Sequence, residues 1–320
     1  MTRSMTNDRR RGLLKDLLLE KRCIRVMEVH NPISAMIAEK ARSVDGSGRP
    51  VEVDAFWSSS LTDSASRGLP DNEVLSPRAR LGGIDDAFSV TSKPLIMDVD
   101  TGGPPEHFEW SVRDIERRGV SALIVEDKCG LKQNSLLGAS SRQRLADIGE
   151  FCEKIAVGKA AQGTDDFQIF ARLESLILDR GMDDALTRAD AYLGAGADGI
   201  MIHSRRRDGV EVLEFTHRFR DRHPAVPLIA VPTAYPGVRL DELAEAGVNI
   251  VIYANHMLRA SLKAMQEVCD LILRHGRTFE AEELCAGLDE ILRMGPPARV
   301  EPAHRITAWT APQPVIEEVG

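Results

Sequence analysis

Cysteine is scarce and poorly spaced for structural work: the 320 residues hold five (Cys23, Cys129, Cys152, Cys269 and Cys285), with no CxxC pair. An odd count without paired spacing argues against a disulfide framework and against a structural zinc site, and fits a reducing cytoplasm. Aromatic residues make up only 5% of the chain, and its basic clusters never exceed the triplets Arg9 to Arg11 and Arg205 to Arg207. With 41 Lys and Arg against 49 Asp and Glu, a formal charge of -8, a nucleic-acid footprint is missing. No stretch approaches the roughly 20 apolar residues of a membrane span. The N-terminal leucines Leu13, Leu14, Leu17, Leu18 and Leu19 are interrupted by Lys15 and Asp16, so they lack the continuous apolar core of a signal peptide. GxxxxGKS does not occur, and the one GxGxxG match, Gly194 to Gly199, leads into a strand and does not follow an early one, which disfavours a doubly wound nucleotide-binding sheet.

What remains is a chain with 43% hydrophobic and 28% charged residues, enough to bury a large core. Short β-branched runs alternate with amphipathic segments. Strands are expected near Ile24–Val29, Val53–Trp57, Leu95–Asp98, Ala122–Glu126, Phe167–Leu173, Gly199–His203, Leu228–Val231 and Ile250–Tyr253. Eight β-α units are the number that closes a TIM-type (β/α)8 barrel, and an α/β barrel is the predicted fold. Helices are expected over Pro32–Arg42, Met182–Leu193 and Leu240–Ala246, and a flexible surface insertion over 45–50. Residues 1–22 read as an N-terminal helical extension and 23–294 as the catalytic barrel with C-terminal helices. Residues 295–320, with Pro296, Pro297, Pro302, Pro312 and Pro314, read as an extended tail.

In a barrel the C-terminal strand ends share one mouth, so the polar residues at those ends carry the functional argument. Asp98 and Asp100 close the third strand, Glu126 the fourth, Arg172 and Glu174 the fifth, and His203 the sixth. Residues two apart on a strand face the same side, so Asp98 and Asp100 with Glu126 make a hard-oxygen set suited to Mg²⁺ or Mn²⁺. Taken singly, each acid reads equally well as a solvated residue or a turn cap. Arg172 and His203 follow apolar stretches, where a guanidinium can fork a phosphate or carboxylate; the plain alternative is a core salt bridge to Glu126 or Glu174. His30, His107 and His256 read as ordinary hydrogen-bonded residues. The segment from Asp127 to Arg142 is long, polar and glycine-containing, as a mobile lid would be.

That segment, Glu126-Asp127-Lys128-x(3)-Lys132-x-Asn134-Ser135, closely resembles a motif of the phosphoenolpyruvate mutases, within the phosphoenolpyruvate mutase and isocitrate lyase superfamily. The likeness extends over roughly residues 25 to 275. It takes in Phe56-Trp57-x-Ser59-x-Leu61, Asp71, Asp98-x-Asp100-Thr101-Gly102, Arg172, Ile202-His203-Ser204 and Ala254-Asn255-His256-x-Leu258-Arg259-Ala260-Ser261. The resemblance implies a barrel with a swapped eighth helix, a homodimer or homotetramer, and a Mg²⁺-bound 2-oxo acid or enolate substrate. It implies that Asp98 ligates the metal directly and that Asp100 and Glu126 hold it through water. Ser59, Ser60 and Leu61 would then bind the substrate's carboxylate, with Trp57 also substrate-binding, and Arg172, His203, Asn134 and Ser135 would bind the phosphoryl group. Asp71 matches the family's aspartate at the reacting phosphorus, a nucleophile or an electrostatic element, and Lys132 matches the lid lysine.

The carbon–carbon lyases of the superfamily carry KxCGH, where this chain has Lys132-Gln133-Asn134-Ser135-Leu136, and Cys129 lies in another register. Phosphonopyruvate hydrolases resemble the mutases but typically place Thr at the position of Asn134. The resemblance therefore favours a mutase interconverting phosphoenolpyruvate and phosphonopyruvate. A phosphonopyruvate hydrolase or another Mg-dependent 2-oxo acid lyase is the alternative, and a non-catalytic barrel that binds a phosphorylated metabolite is a remote one. A partner enzyme that consumes phosphonopyruvate is implied, without contact. Two departures bear on the pocket. Ser60 stands where many members have Gly, so a positive φ there would be uncomfortable. Gly103-Pro104-Pro105 also replaces the common aromatic-Gly-Asn continuation.

Overall fold

The barrel strands are mostly apolar runs whose alternate side chains separate two cores. The computed structural model describes residues 5–140 and 142–294, so the tail expected over 295–320 lies outside the described residues. The strands are β1 (Ile24–Glu28), β2 (Arg42–Val44), β3 (Pro50–Glu52), β4 (Ala55–Ser58), β5 (Leu95–Asp98), β6 (Ala122–Glu126), β7 (Lys128–Cys129), β8 (Arg144–Leu145), β9 (Gln168–Leu173), β10 (Gly199–Ile202), β11 (Leu228–Ala230) and β12 (Ile250–Tyr253). The helices are α1 (Asn7–Glu20), α2 (Pro32–Lys40), α3 (Ser60–Ala65), α4 (Pro77–Val90), α5 (Pro105–Arg117), α6 (Ile148–Ala161), α7 (Met182–Gly194), α8 (Val210–Arg222), α9 (Leu240–Ala246), α10 (His256–His275) and α11 (Leu288–Met294).

Eight parallel strands close in the order β1-β12-β11-β10-β9-β6-β5-β4, a (β/α)8 barrel. Inward positions form one cluster, in which Val26, Trp57, Ile96, Ile124, Phe170 and Met201 are all nearly or wholly buried. Outward positions such as Phe56, Met97, Leu123 and Ile169 pack with the surrounding helices in a second cluster. Helix α1 places Leu14 in the inner cluster. Its Arg10 guanidinium caps the carbonyls of Phe88, Thr91 and Lys93, which are the chain just before β5.

Two local expectations need correction. Helix α2 stops at Lys40, because Arg42–Val44 pairs antiparallel with Pro50–Glu52. The 45–50 segment is accordingly an ordered hairpin turn, in which Asp45 accepts from the backbone N–H groups of Ser47 and Arg49. By contact, the described residues divide at Lys263 and Ala264. The first unit is the barrel. The second holds the distal part of α10, a 3-10 turn at Phe279–Leu284, and α11.

Candidate active site

The same alternation that fills the barrel with apolar side chains turns polar at the mouth. Following the inward positions upward gives Ile96 then Asp98, Ile124 then Glu126, Phe170 then Arg172 and Glu174, and Met201 then His203. The strand register makes Glu126 and Arg172 direct partners on neighbouring strands. A cavity of about 60 Å³ sits among these ends. Trp57, Ser59, Ser60 and Leu61 line it from the end of β4 and the start of α3, with Asp98, Arg172 and His203 from the other strands. Asp71, Lys132, Asn134 and Ser135 cover it from the loops. Asp100 and Glu126 lie beside it, both buried.

From the segment expected as a lid, Lys132, Asn134 and Ser135 reach the mouth. Lys132 is 4% exposed and donates to Ser60 Oγ (2.8 Å) and Asp71 Oδ1 (2.5 Å), and it also pairs with Asp100. Asn134 Nδ2 donates to the other Asp71 oxygen at 2.8 Å. Ser135 Oγ accepts from Arg172 Nη2 at 2.6 Å. Arg172 in turn donates from Nε to Glu174 Oε1 at 2.6 Å, and its Nη2 lies 3.1 Å from His203 Nδ1.

These cations decide the protonation states. Burial alone would raise Asp98, but Arg172, Lys132 and Arg80 outweigh it and hold the carboxyl below its ordinary range. Asp100 goes the other way, because burial and the neighbouring Asp98 together exceed the pull of Lys132. Burial pushes Glu126 up to about 8, against Arg172 and Lys128. Glu174 is also buried but is held low by Arg172, by its bond to His203 and by Lys128. The two glutamates share the same cations, and Glu174 has the shorter contact: 2.6 Å to Arg172 against 3.4 Å for Glu126. Burial and the Arg172 charge keep His203 neutral by lowering its pKa.

Among the described residues no three acids, histidines or cysteines converge as a ready-made metal cluster. Lys132 stands against Asp100, and Arg172 stands 3.7 Å from Asp98 and 3.4 Å from Glu126. Asp100 Oδ1 and both Glu126 oxygens are buried and are met only by the ammonium or guanidinium of Lys132, Lys128 and Arg172. Such hard oxygens with spare lone pairs fit the water shell of a divalent cation better than direct ligation by all three.

Ser60 requires a correction. It opens α3 after the extended Ser59 (φ -88°) and is not among the positive-φ residues, so glycine is not needed there. Its hydroxyl is instead used, donating to Asp98 Oδ2 at 3.1 Å while accepting from Lys132. The strain lies elsewhere: Asp100 has φ 56° and Gly102 φ 71°. A Cβ on Gly102 would stand 2.7 Å from the Phe108 ring. Pro105 begins α5, where a missing N–H costs nothing.

Two supporting residues escaped the sequence reading. Arg80 of α4 is buried, donates from Nε to Asp63 Oδ2 (2.7 Å) and from Nη2 to Ser58 O (2.9 Å), and caps the Asp98 carbonyl. Its signal was a lone arginine on a helix face shared with Leu81, Ile84 and Ala87. Glu28 ends β1 fully buried, 2.7 Å from His30 Nδ1, and accepts from Leu258 N–H.

A family model described as phosphoenolpyruvate phosphomutase matches residues 14–273. Phosphonopyruvate hydrolase from Variovorax sp. (strain Pal2) is 38% identical over 283 residues, 88% of this chain and 93% of that protein. The crystal structure of phosphoenolpyruvate phosphomutase from Streptomyces platensis subsp. rosaceus matches with TM-score 0.81 and 37% identity, over 88% of this chain and 93% of that one. A phosphonopyruvate hydrolase solved with oxalate and Mg++ matches with TM-score 0.78 and 36% identity, over 91% and 95%.

Proposed function

Since the chain belongs to the phosphoenolpyruvate phosphomutase family, we propose that it is an isomerase interconverting phosphoenolpyruvate and 3-phosphonopyruvate. Identity to a hydrolase and to a mutase is similar, so the reading rests on the residues around the phosphoryl group. The observation that carries it is Asn134, whose amide and the Lys132 ammonium hold the two oxygens of Asp71 from the lid. Two lid donors on one carboxylate close the side from which a water would approach the phosphorus.

In the biosynthetic direction the P–O bond to the enol oxygen breaks and a P–C bond forms at C3. The enolate supplies the electron pair, and no proton is gained or lost overall. Trp57, Ser59, Ser60 and the backbone at Leu61 hold the substrate through its carboxylate. Arg172 and neutral His203, with Asn134 and Ser135, face the phosphoryl oxygens, where fixed donors stabilise a dispersed negative charge without reorganisation. Asp71 stands at the reacting phosphorus, as acceptor or as electrostatic wall. Asp98, Asp100 and Glu126 would hold Mg²⁺ or Mn²⁺, Asp98 directly and the other two through water. When bound, the cation supplies positive charge beside the developing enolate.

Further parts of the reading follow the same family. Helix α10 buries none of its residues and exposes Leu262 and Met265, which supports exchange of this helix with a second copy in a homodimer or homotetramer. No helix among the described residues is long and apolar enough to cross a membrane. A cytoplasmic site and functional coupling to a phosphonopyruvate-consuming enzyme belong to the proposal.

The test is Asn134→Thr. The variant should lose isomerisation relative to release of free phosphate from phosphonopyruvate, followed by phosphorus NMR. An unchanged product ratio removes Asn134 from this role.

A further inference from the structure

The triplet Glu126-Asp127-Lys128 has one member with no part in the reaction above and one with a structural part only. Neighbouring residues on an extended chain face opposite ways. Asp127 turns outward, accepting from Tyr192 OH (2.9 Å), Arg188 Nη1 (3.3 Å) and Glu174 N–H (2.9 Å). Lys128 turns inward beside Glu126, and its side chain is 2% exposed.

An ammonium has three protons, and all three here go to the lid. Lys128 Nζ donates to Gln133 O (2.9 Å) and Ser135 Oγ (3.0 Å) on the outgoing limb, and to Gln143 Oε1 (2.7 Å) on the returning limb. Its counter-charge is the ionised Glu174, Oε2 at 3.7 Å, and Glu126 Oε1 lies 3.2 Å away. Below it the two limbs pair in the short β7–β8 ladder, Lys128 with Leu145 and Cys129 with Arg144, and Gln143 Nε2 also donates across to Asn134 O at 3.4 Å. Ser135 Oγ thus receives hydrogen bonds from both Lys128 and Arg172.

We propose that Lys128 is a positioning residue that latches the lid: it cross-braces both limbs, anchors them to Glu126 and Glu174, and so sets Ser135 against Arg172 and keeps water from the moving phosphoryl group. The consequence for product rests on the isomerase reading; the consequence for lid closure does not.

Two variants test it, Lys128→Met, which keeps length and removes the ammonium, and Gln143→Ala, which removes from the half-buried returning limb both the acceptor for Lys128 and the donor to Asn134 O. Trypsin cleavage between residues 130 and 144 is timed with and without oxalate plus Mg²⁺. Wild type should be protected on adding the pair, and each variant should lose at least about tenfold of that protection. With phosphonopyruvate and Mg²⁺, phosphorus NMR should show the fraction released as free phosphate rising several-fold in both variants. Global destabilisation lowers the amount of working enzyme but leaves that ratio alone. The proposal is overturned if oxalate plus Mg²⁺ gives no protection in wild type, or if the folded variants keep both wild-type protection and wild-type product ratio. Should Lys128→Met fail to fold, Gln143→Ala decides by the same two readings. A wild type that releases mainly phosphate defeats the isomerase reading, and the protection experiment still judges the latch.

Discussion

Removal of Arg80 tests how the barrel holds its principal acid. Its side chain is fully buried and joins three things: the Asp63 carboxylate, Ser58 on β4, and the carbonyl of Asp98 on β5. Arg80→Met keeps the apolar stem but leaves Asp63, 9% exposed, as a buried carboxylate whose remaining hydrogen bond from Ser58 Oγ is 2.7 Å long. Breaking a buried pair from one side costs about 3–5 kcal/mol, most of it for the charge left behind. The double variant Arg80→Met, Asp63→Asn removes that charge and should recover about half of the loss. It cannot restore the clamp on Asp98, so turnover should stay down in both. Urea unfolding with a constant slope gives the stability differences, and turnover is measured on the folded fraction. A loss below about 1 kcal/mol in Arg80→Met, or a double variant no more stable than the single, would refute the reasoning.

Chelation by EDTA and Asp98→Ala should each lower turnover by at least about a hundredfold, since both remove charge from the developing enolate; full turnover in chelator-treated enzyme contradicts this. His203 has a depressed pKa in the fold, so its contribution to stability is complete above its unfolded value of about 6.5 and is lost as pH falls from there through the lower folded value. His203→Gln should therefore lose less stability than wild type on acidification, by up to about 1.4 kcal/mol per pH unit in that window; parallel urea-unfolding profiles rule it out. In Lys132→Met the cation between Asp71 and Asp100 is gone. Isomerisation should drop at least about a hundredfold while the barrel stays folded by circular dichroism, and a smaller drop removes Lys132 from the reaction.

The strands were legible because most are short apolar runs whose inward and outward residues are both buried, as at Ala122–Glu126, and the polar residues closing several of them marked the mouth. The spacing within the lid could also be read, since Lys132, Asn134 and Ser135 all reach the same cavity. What stayed hidden depends on contacts distant in sequence. Arg80 acquires its meaning only from Ser58, Asp63 and Asp98 on other elements. The 45–50 turn looked flexible because Gly and Ser dominate it, whereas its order comes from one Asp45 side chain and a three-residue ladder. Glycine preference at position 60 misled for the opposite reason: the chain takes an ordinary helical start there, and the serine hydroxyl bridges Lys132 and Asp98.

The most direct measurement follows wild-type protein with Mg²⁺ and phosphonopyruvate by phosphorus NMR. Holding hydrolysis to about one event per hundred transfers requires only ~2.7 kcal/mol between the competing barriers, within reach of the Asn134 and Lys132 hydrogen bonds in a dry pocket. The account predicts that the phosphonate signal is replaced by that of phosphoenolpyruvate with little free phosphate. Free phosphate and pyruvate as the main products, with Asn134 intact, would contradict it and make the enzyme a hydrolase.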